Sequence, residues 1–316
     1  MKKLVSIVLP VHNESGNIDP LYGAIRKTFD SMKKSYRVEL IFVNDGSTDN
    51  SQDLLMKLTK RDANIFVLNL SRNFGHQIAL TAGLDFAHGD AVITMDSDLQ
   101  DPPELCKRLL KKWEDGYEVV YASHRKRKGE SWFKRLSAKW FYKIINHLSD
   151  IDIPQNVGDF RLLDRSVVDQ LGRFGEHQRF LRGLVSYTGF NQATITFDRD
   201  SRQRGETKYS LTKMWRLALD GITGFSTAPI RYISQLGYFM SGVSLAGILY
   251  IMWVKLFEPA RAIHGWIFVS LVVFFVGGLQ LIMLGLIGSY VSRTYIETQN
   301  RPLYIVSSIN GKKLPL

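Results

Sequence analysis

Cysteine is almost absent: the 316 residues hold one, Cys106. A single thiol excludes an internal disulfide, and its place in an apparent helix makes packing its expected role. No Gly-x-Gly-x-x-Gly follows the first apolar run, and no P-loop sequence is present. Those absences exclude a dinucleotide fingerprint and a glycine-rich phosphate cradle. A nucleotide would have to be held by carboxylates and a metal instead. His12 and His76 have no metal-ligand spacing with other histidines and read as polar residues at strand ends. Charge is missing from two stretches, Tyr232 to Val254 and Gly265 to Ser292. A helix needs about 20 apolar residues to cross a bilayer, and both stretches are long enough. Buried core helices of this length, back to back, are the weaker alternative. The short connection over 255–264 makes the pair a hairpin. Arg231 precedes it, and Arg293, Arg301, Lys312 and Lys313 follow it, while the connection carries Lys255 and Arg261 against Glu258. The excess of positive charge outside the hairpin loop puts both flanks on the cytoplasmic side.

What is present begins with alternation. Apolar, β-rich runs occur at 4–9, 38–43, 65–70, 91–95 and 118–122, and helical patterns fill roughly 17–34, 50–61, 76–87 and 102–115. The first run follows Met1-Lys2-Lys3, as in a signal peptide, but it is short, contains Pro10 and leads into polar residues, so a strand is expected. Strands alternating with helices of this length predict a doubly wound, mostly parallel α/β sheet. Four runs end in polar clusters: His12-Asn13-Glu14, Asn44-Asp45-Gly46-Ser47-Thr48-Asp49, Ser71 to His76, and Asp96-Ser97-Asp98-Leu99-Gln100-Asp101. Ligand sites of open α/β sheets lie at the carboxyl ends of strands. Asp96 and Asp98 flank one residue, so an extended chain would point both carboxylates the same way. Two converging hard oxygen donors suit Mg²⁺ or Mn²⁺ that also holds a diphosphate. By themselves they also fit a polar turn capping a helix near Pro102.

The net charge is +11. One basic cluster runs from His124 through Lys128 to Lys134, Arg135 and Lys139; another comprises Arg199, Arg202, Arg204, Lys208, Lys213 and Arg216. Nucleic acid is the reflex partner for such clusters. Against it, Trp132, Phe133, Leu136, Trp140, Phe141, Ile144 and Ile145 interleave with the first at helical spacing. Helices near 131–148 and 210–228 are therefore expected to lie on an anionic leaflet. A solvated basic surface remains the plain alternative for some of these lysines.

The three clusters Pro10 to Glu14, Asn44 to Asp49 and Asp96 to Pro103 resemble the successive motifs of family 2 glycosyltransferases of the GT-A fold. Asn156 to Leu162 and Arg202 to Tyr209 resemble the branch that glycosylates polyprenyl phosphates, and the tail Arg293 to Thr298 with Arg301-Pro302 resembles its bactoprenol glucosyltransferases. The resemblance covers essentially the whole chain. It implies a GT-A, Rossmann-like catalytic domain over 1–230, a two-helix transmembrane hairpin over 231–292 and a cytoplasmic tail over 293–316. It also implies a multi-pass protein of the cytoplasmic (inner) membrane and a homo-oligomer. The implied reaction is inverting transfer of a hexose, glucose foremost, from a UDP-sugar to undecaprenyl phosphate. GDP-mannose or a UDP-N-acetylhexosamine is the alternative donor. A processive polymer synthase is disfavoured, since Gln-x-x-Arg-Trp is absent. A non-catalytic membrane scaffold is the reading from another class, and loss of an acidic residue would mark it, yet Asp45, Asp96, Asp98 and Asp159 all stand.

The resemblance also assigns roles. Asp98 is the first metal ligand; Asp96 shares the metal or holds the ribose, and Gln100 returns to the same side. Asp45 reads the base or ribose, against a competing role in the Asp-Gly turn and as a helix cap. Glu14 touches the nucleoside or caps a helix. Arg202 and Lys208 lie on a loop over the donor diphosphate. Arg125, with Lys134 or Arg135, takes the acceptor phosphate. Asp159 is the candidate base of the family. A phosphate monoester has its second pKa near about 6, so the acceptor needs little deprotonation. Asp159 is therefore expected to orient a substrate or stabilise charge at the anomeric carbon.

Overall fold

The computed structural model describes residues 2–124, 157–177, 179–197, 228–257 and 266–313. The basic segment at 131–148 and all but the last residue of that at 210–228 lie outside them. The chain divides into two compact units: the first comprises Met1–Asn146, Ile151–Leu211 and Arg301–Leu316, and the second His147–Asp150 and Thr212–Asn300, which includes the two long C-terminal helices.

The first unit opens with the predicted alternation. β1 (Lys3–Val11), α1 (Ile18–Asp30), β2 (Tyr36–Asn44), α2 (Ser51–Arg61), β3 (Ile65–Leu70), α3 (His76–Phe86) and β4 (Ala91–Thr94) follow in order. A 3₁₀ turn at Pro103–Leu105 then leads into α4 (Cys106–Glu114) and β5 (Val119–His124). β1 pairs in parallel with β2 on one side and β4 on the other, and β2 pairs in parallel with β3. The strand order therefore reverses at β1, and the crevice of such a sheet opens at the carboxyl ends of β1 and β4.

β1 is buried from Val5 to Val11 because helices cover both of its faces. Ile18, Leu21, Ile25 and Phe29 of α1 recur at helical spacing and join Val5, Ile7, Leu9 and Val11 in the core. On the other face α3 packs so closely that a Cβ on Gly83 would lie 2.2 Å from Val8 Cγ1. Only glycine fits there. Cys106 is fully buried at the start of α4, as packing demands, and burial pushes its thiol pKa up to about 12.

Two insertions depart from the simple alternation. β6 (Val157–Asp164) slots antiparallel between β4 and β5, so β5 pairs with β6 rather than with β4. α5 (Arg165–Arg173), α6 (Leu181–Tyr187) and β7 (Gln192–Phe197) follow, and β7 pairs in parallel with β5. The last insertion comes from the segment after the helices, where sequence patterning predicts a tail and the structure has strands. β8 (Val306–Ile309) adds antiparallel to β3, and β9 (Lys312–Lys313) pairs with β8. The sheet order is β7-β5-β6-β4-β1-β2-β3-β8-β9.

The second unit contains α7 (Ala228–Phe257) and α8 (Trp266–Thr298), of 30 and 33 residues. At 1.5 Å per residue they reach about 45 and 50 Å, beyond the roughly 30 Å hydrocarbon core of a bilayer. Large apolar side chains such as Phe239, Phe275, Leu281 and Ile282 stand exposed on them. Among the described residues one stretch, Phe275–Thr298, is long and apolar enough to cross a membrane. Two spans were expected. Ser234, Gln235, Ser241 and Ser244 dilute the hydropathy of α7.

Candidate active site

The loops that follow β1 and β2 are knitted together by Asn13, whose φ of 59° turns its side chain back on the neighbouring loop. Its Oδ1 accepts from the amides of Thr48 at 2.8 Å and Asp49 at 3.3 Å, and its own amide donates to Ser47 Oγ at 3.1 Å. Glu14 donates its amide to Ser51 Oγ and accepts from Asn17 Nδ2 at 2.6 Å. Gly46, with φ +62°, presses on the loop after β3: a Cβ there would meet Asn73 N at 2.5 Å.

Asp45 is buried, and its two carboxylate oxygens accept from the amides of Phe74 at 2.7 Å and Gly75 at 2.9 Å. It does not cap α2, whose first amide, Ser51 N, donates to Asp49 Oδ1 at 3.0 Å instead. Instead its charge fixes the backbone that leads into α3, a favourable place for a carboxylate. This loop brings His76 and Gln77 to the crevice.

β4 ends at Thr94, Met95 N still donates to Val8 O of β1, and the chain turns at Ser97, between the two aspartates, rather than running on extended. The alternation expected to align Asp96 with Asp98 therefore does not operate. Ser97 Oγ ties the turn to Pro10 O of β1 at 2.7 Å, and Leu99 adopts φ 60°. Asp98 accepts from Gln100 N at 3.1 Å and from Gln100 Nε2 at 2.7 Å. Gln100 thus faces Asp98 through its amide nitrogen, which donates and cannot ligate a cation. Among the described residues no three His, Cys, Asp or Glu side chains gather as a metal site. Two half-buried carboxylates, Asp96 and Asp98, are the donor set the turn offers. Mg²⁺ is commonly bound by one or two carboxylates plus substrate phosphates, and that donor set fits it.

Asp159 reaches this point because β6 runs antiparallel to β4. Thr94 pairs with Arg161, and Thr94 Oγ1 donates to Asp159 O at 2.5 Å. Arg161 Nη2 lies 2.6 Å from Asp159 Oδ1, and Gln77 Nε2 donates to Oδ2 at 3.1 Å. His76 Nε2 stands between two carboxylates, 3.1 Å from Asp159 and 3.4 Å from Asp96. Burial alone would raise the pKa of Asp159. The His76 hydrogen bond and the charges of Arg161, His76 and Arg182 reverse that and hold it far below the carboxylate range. Burial likewise disfavours the charged form of His76, but Asp159 and Asp96 raise its pKa above the ordinary imidazole value.

Sequence reading placed Asp96, Asp98 and Asp159 here but left out Arg161, and it gave His76 no role beyond a polar strand end near the donor. The signal for Arg161 was its spacing: two residues from Asp159 on a β-rich run, it shares that residue's face. Arg125, Lys134, Arg135, Arg202 and Lys208, the predicted phosphate contacts, lie outside the described residues.

Residues 6–172 match the family model for glycosyl transferase family 2. The chain is 46% identical over 306 residues to an uncharacterized glycosyltransferase of Bacillus subtilis strain 168, covering 97% of this chain and 94% of the relative. It is 39% identical over 306 residues to the bactoprenol glucosyl transferase of Shigella phage SfX, covering 96% and 99%. Mannosyl-3-phosphoglycerate synthase from Rubrobacter xylanophilus aligns in structure with a TM-score of 0.47 at 18% identity, over 75% of each chain. With its acidic residues intact, the chain is an enzyme and not a scaffold. It belongs to glycosyltransferase family 2 and is a glycosyltransferase with a GT-A-like, largely parallel α/β fold.

Proposed function

We propose that this enzyme transfers one hexose, glucose in the first place, from a UDP-sugar to a polyprenyl phosphate at the cytoplasmic face of a membrane. The observation that carries the chemistry is the cluster of Asp96, His76, Asp159 and Arg161 at the crevice beside β4. The acceptor and sugar are inferred from the relative named bactoprenol glucosyl transferase, which matches this chain nearly end to end. The apolar helix Phe275–Thr298 supports a lipid-linked acceptor.

In this reading the loops after β1 and β2, with Glu14 and Asp45, frame the nucleoside. Asp96 and Asp98 would hold Mg²⁺ or Mn²⁺, which neutralises charge on the departing diphosphate. Gln100 acts by holding Asp98. An acceptor phosphate oxygen attacks the anomeric carbon as the nucleoside diphosphate leaves on the opposite side, and the configuration inverts. Asp159 takes no proton in this scheme. Its lone pairs are engaged by Arg161, Gln77 and His76, and its pKa is depressed. It presents a fixed negative charge to a centre that becomes positive, and preorganised charge of this kind lowers the barrier. Arg202 and Lys208 are proposed for the donor diphosphate, and Arg125, Lys134 and Arg135 for the acceptor phosphate.

Topology follows the same reading. β8 belongs to the sheet that β1 begins, so the helical hairpin leaves and rejoins one folded unit. A chain that does this crosses a bilayer an even number of times, which supports two spans, with 1–230 and 293–316 both cytoplasmic. The test is transfer by the purified full chain from a panel of radiolabelled UDP- and GDP-sugars to undecaprenyl phosphate. UDP-glucose is expected to give labelled lipid. Transfer from GDP-mannose or a UDP-N-acetylhexosamine alone would reassign the sugar, and no labelled lipid from any donor would overturn the acceptor.

A further inference from the structure

Three buried polar side chains stand side by side on adjacent strands: Asn44 on β2, Asn69 on β3 and Ser308 on β8. Asn44 pairs with Asn69 in strand register, and Asn69 with Ser308. Their hydrogen bonds run head to tail. Asn69 Nδ2 donates to Ser308 Oγ at 3.0 Å, Asn44 Nδ2 donates to Asn69 Oδ1 at 2.9 Å, and Ser47 N donates to Asn44 Oδ1 at 3.1 Å. The direction of this row is fixed from one end. A backbone N–H can only donate, so Asn44 must turn its oxygen toward Ser47, and each amide down the row is oriented in turn.

The row is an unusual occupant of a sheet interior covered on both faces, where apolar side chains predominate. Buried amides repay their desolvation only if every partner is present. The row begins at Ser308, beyond the long apolar helices in sequence, and ends in the loop after β2. There Ser47 Oγ accepts from Asn13 N, and Asn13 Oδ1 accepts from Thr48 N. The tail is anchored independently of the row. Ser71 N donates to Ile305 O, Asn310 Oδ1 accepts from Val67 N at 2.7 Å, and Tyr304 OH donates to Asp85 at 2.9 Å. Loss of one hydroxyl therefore need not undock the strand.

We propose that Ser308 and Asn69 are positioning residues for the donor loop: the tail strand β8 sets the 45–49 loop through the row Ser308–Asn69–Asn44–Ser47. The proposal rests on the reading of that loop as part of the nucleotide-sugar site. The segment that follows the apolar helices is then a working part of the site and more than an anchor.

The test uses the full chain in lipid nanodiscs, with Ser308→Ala, Ser308→Thr and Asn69→Ala. Amide exchange of the 44–49 segment without ligand reads the row itself. UDP-glucose and undecaprenyl phosphate kinetics, with UDP and GDP binding, read its consequence. Ser308→Ala should speed exchange at 44–49 and raise the donor KM about 3- to 10-fold, the range expected for one ordinary hydrogen bond. The kcat should stay within about twofold, as for a lost ground-state positioning contact, and the acceptor KM should not move. Ser308→Thr keeps the hydroxyl and should restore the donor KM. Asn69→Ala cuts the row nearer the loop and should give a larger defect of the same kind. Unchanged exchange at 44–49, or a lower thermal midpoint with an unchanged donor KM, would overturn the proposal. Faster exchange in a protein whose wild type binds neither UDP nor GDP would leave the row standing and remove the donor reading.

Discussion

Arg161 holds Asp159 at 2.6 Å with a guanidinium that is itself 1% exposed, so the charge of Asp159 is fixed from inside the protein. A carboxylate held this way by a buried cation, a histidine and a glutamine amide is a poor proton acceptor. It is a good permanent charge.

Asp159→Asn tests that assignment. A general base would matter most at low pH, where more acceptor is monoanionic, and the variant would recover as pH rises through the acceptor's second pKa of about 6. General-base catalysis is worth about 10²–10⁴-fold, so recovery would be unmistakable. The expected outcome is a large loss of kcat that persists at pH 8. The depressed pKa carries a stability consequence with a definite sign. Its contribution is present above the unfolded aspartate value of about 3.9 and is lost as pH falls toward the lower folded value. Thermal midpoints from pH 5 downward should therefore fall more steeply for the wild type than for Asp159→Asn.

Arg161→Met removes one half of a buried pair. Breaking such a pair costs about 3–5 kcal/mol, because the remaining charge is left uncompensated. Denaturation of the variant should show a loss of that order. The double variant with Asp159→Asn should recover part of it, since no buried charge is then orphaned. Additive losses would mean that the two side chains do not act as a pair.

The parallel half of the sheet was legible because its strands are mostly apolar and its helices carry clean 3.6-residue spacing, as in Ile18, Leu21, Ile25 and Phe29. β6 was not, because Val157 to Asp164 carries Asp159 and Arg161 within it and reads as a motif rather than a strand. β8 was not, because Val306-Ser307-Ser308-Ile309 is short, and only the distant β3 makes it a strand. The acidic residues of the site were legible as types at strand ends, but not their geometry. Asp45 reads as a nucleoside contact from its place after β2, whereas both of its oxygens are bonded to Phe74 and Gly75. Asp96 and Asp98 are separated by a turn that starts at Ser97 and carries Leu99 at φ 60°, which composition alone does not announce.

Metal dependence is the next expectation. EDTA should abolish transfer by the wild type, and added Mg²⁺ or Mn²⁺ should restore it. Asp98→Asn should lose transfer with little change in thermal midpoint, because it is nearly isosteric and keeps an oxygen to accept from Gln100. Gln100→Ala should weaken the metal's apparent affinity less than Asp98→Asn does, since Gln100 acts by orienting Asp98. Full activity in EDTA would remove the cation from the mechanism.

Topology can be read with cysteine chemistry because the native thiol is out of reach. Cys106 is fully buried and its pKa is pushed up to about 12, so it is neither accessible nor thiolate near neutral pH. Introduced cysteines therefore report alone. Glu258→Cys probes the connection between α7 and α8, and Lys312→Cys probes the exposed side of the tail strand without touching Asn310, which is bonded into the sheet. In intact cells a membrane-impermeant maleimide should label Glu258→Cys and spare Lys312→Cys until the membrane is opened. Labelling of both from outside would put the tail on the wrong side. Because β8 belongs to the catalytic sheet, it would move the whole first unit there too and sink the two-span reading. Labelling of neither, with both reactive after permeabilisation, would place the connection inside as well and reduce the hairpin to one that does not cross.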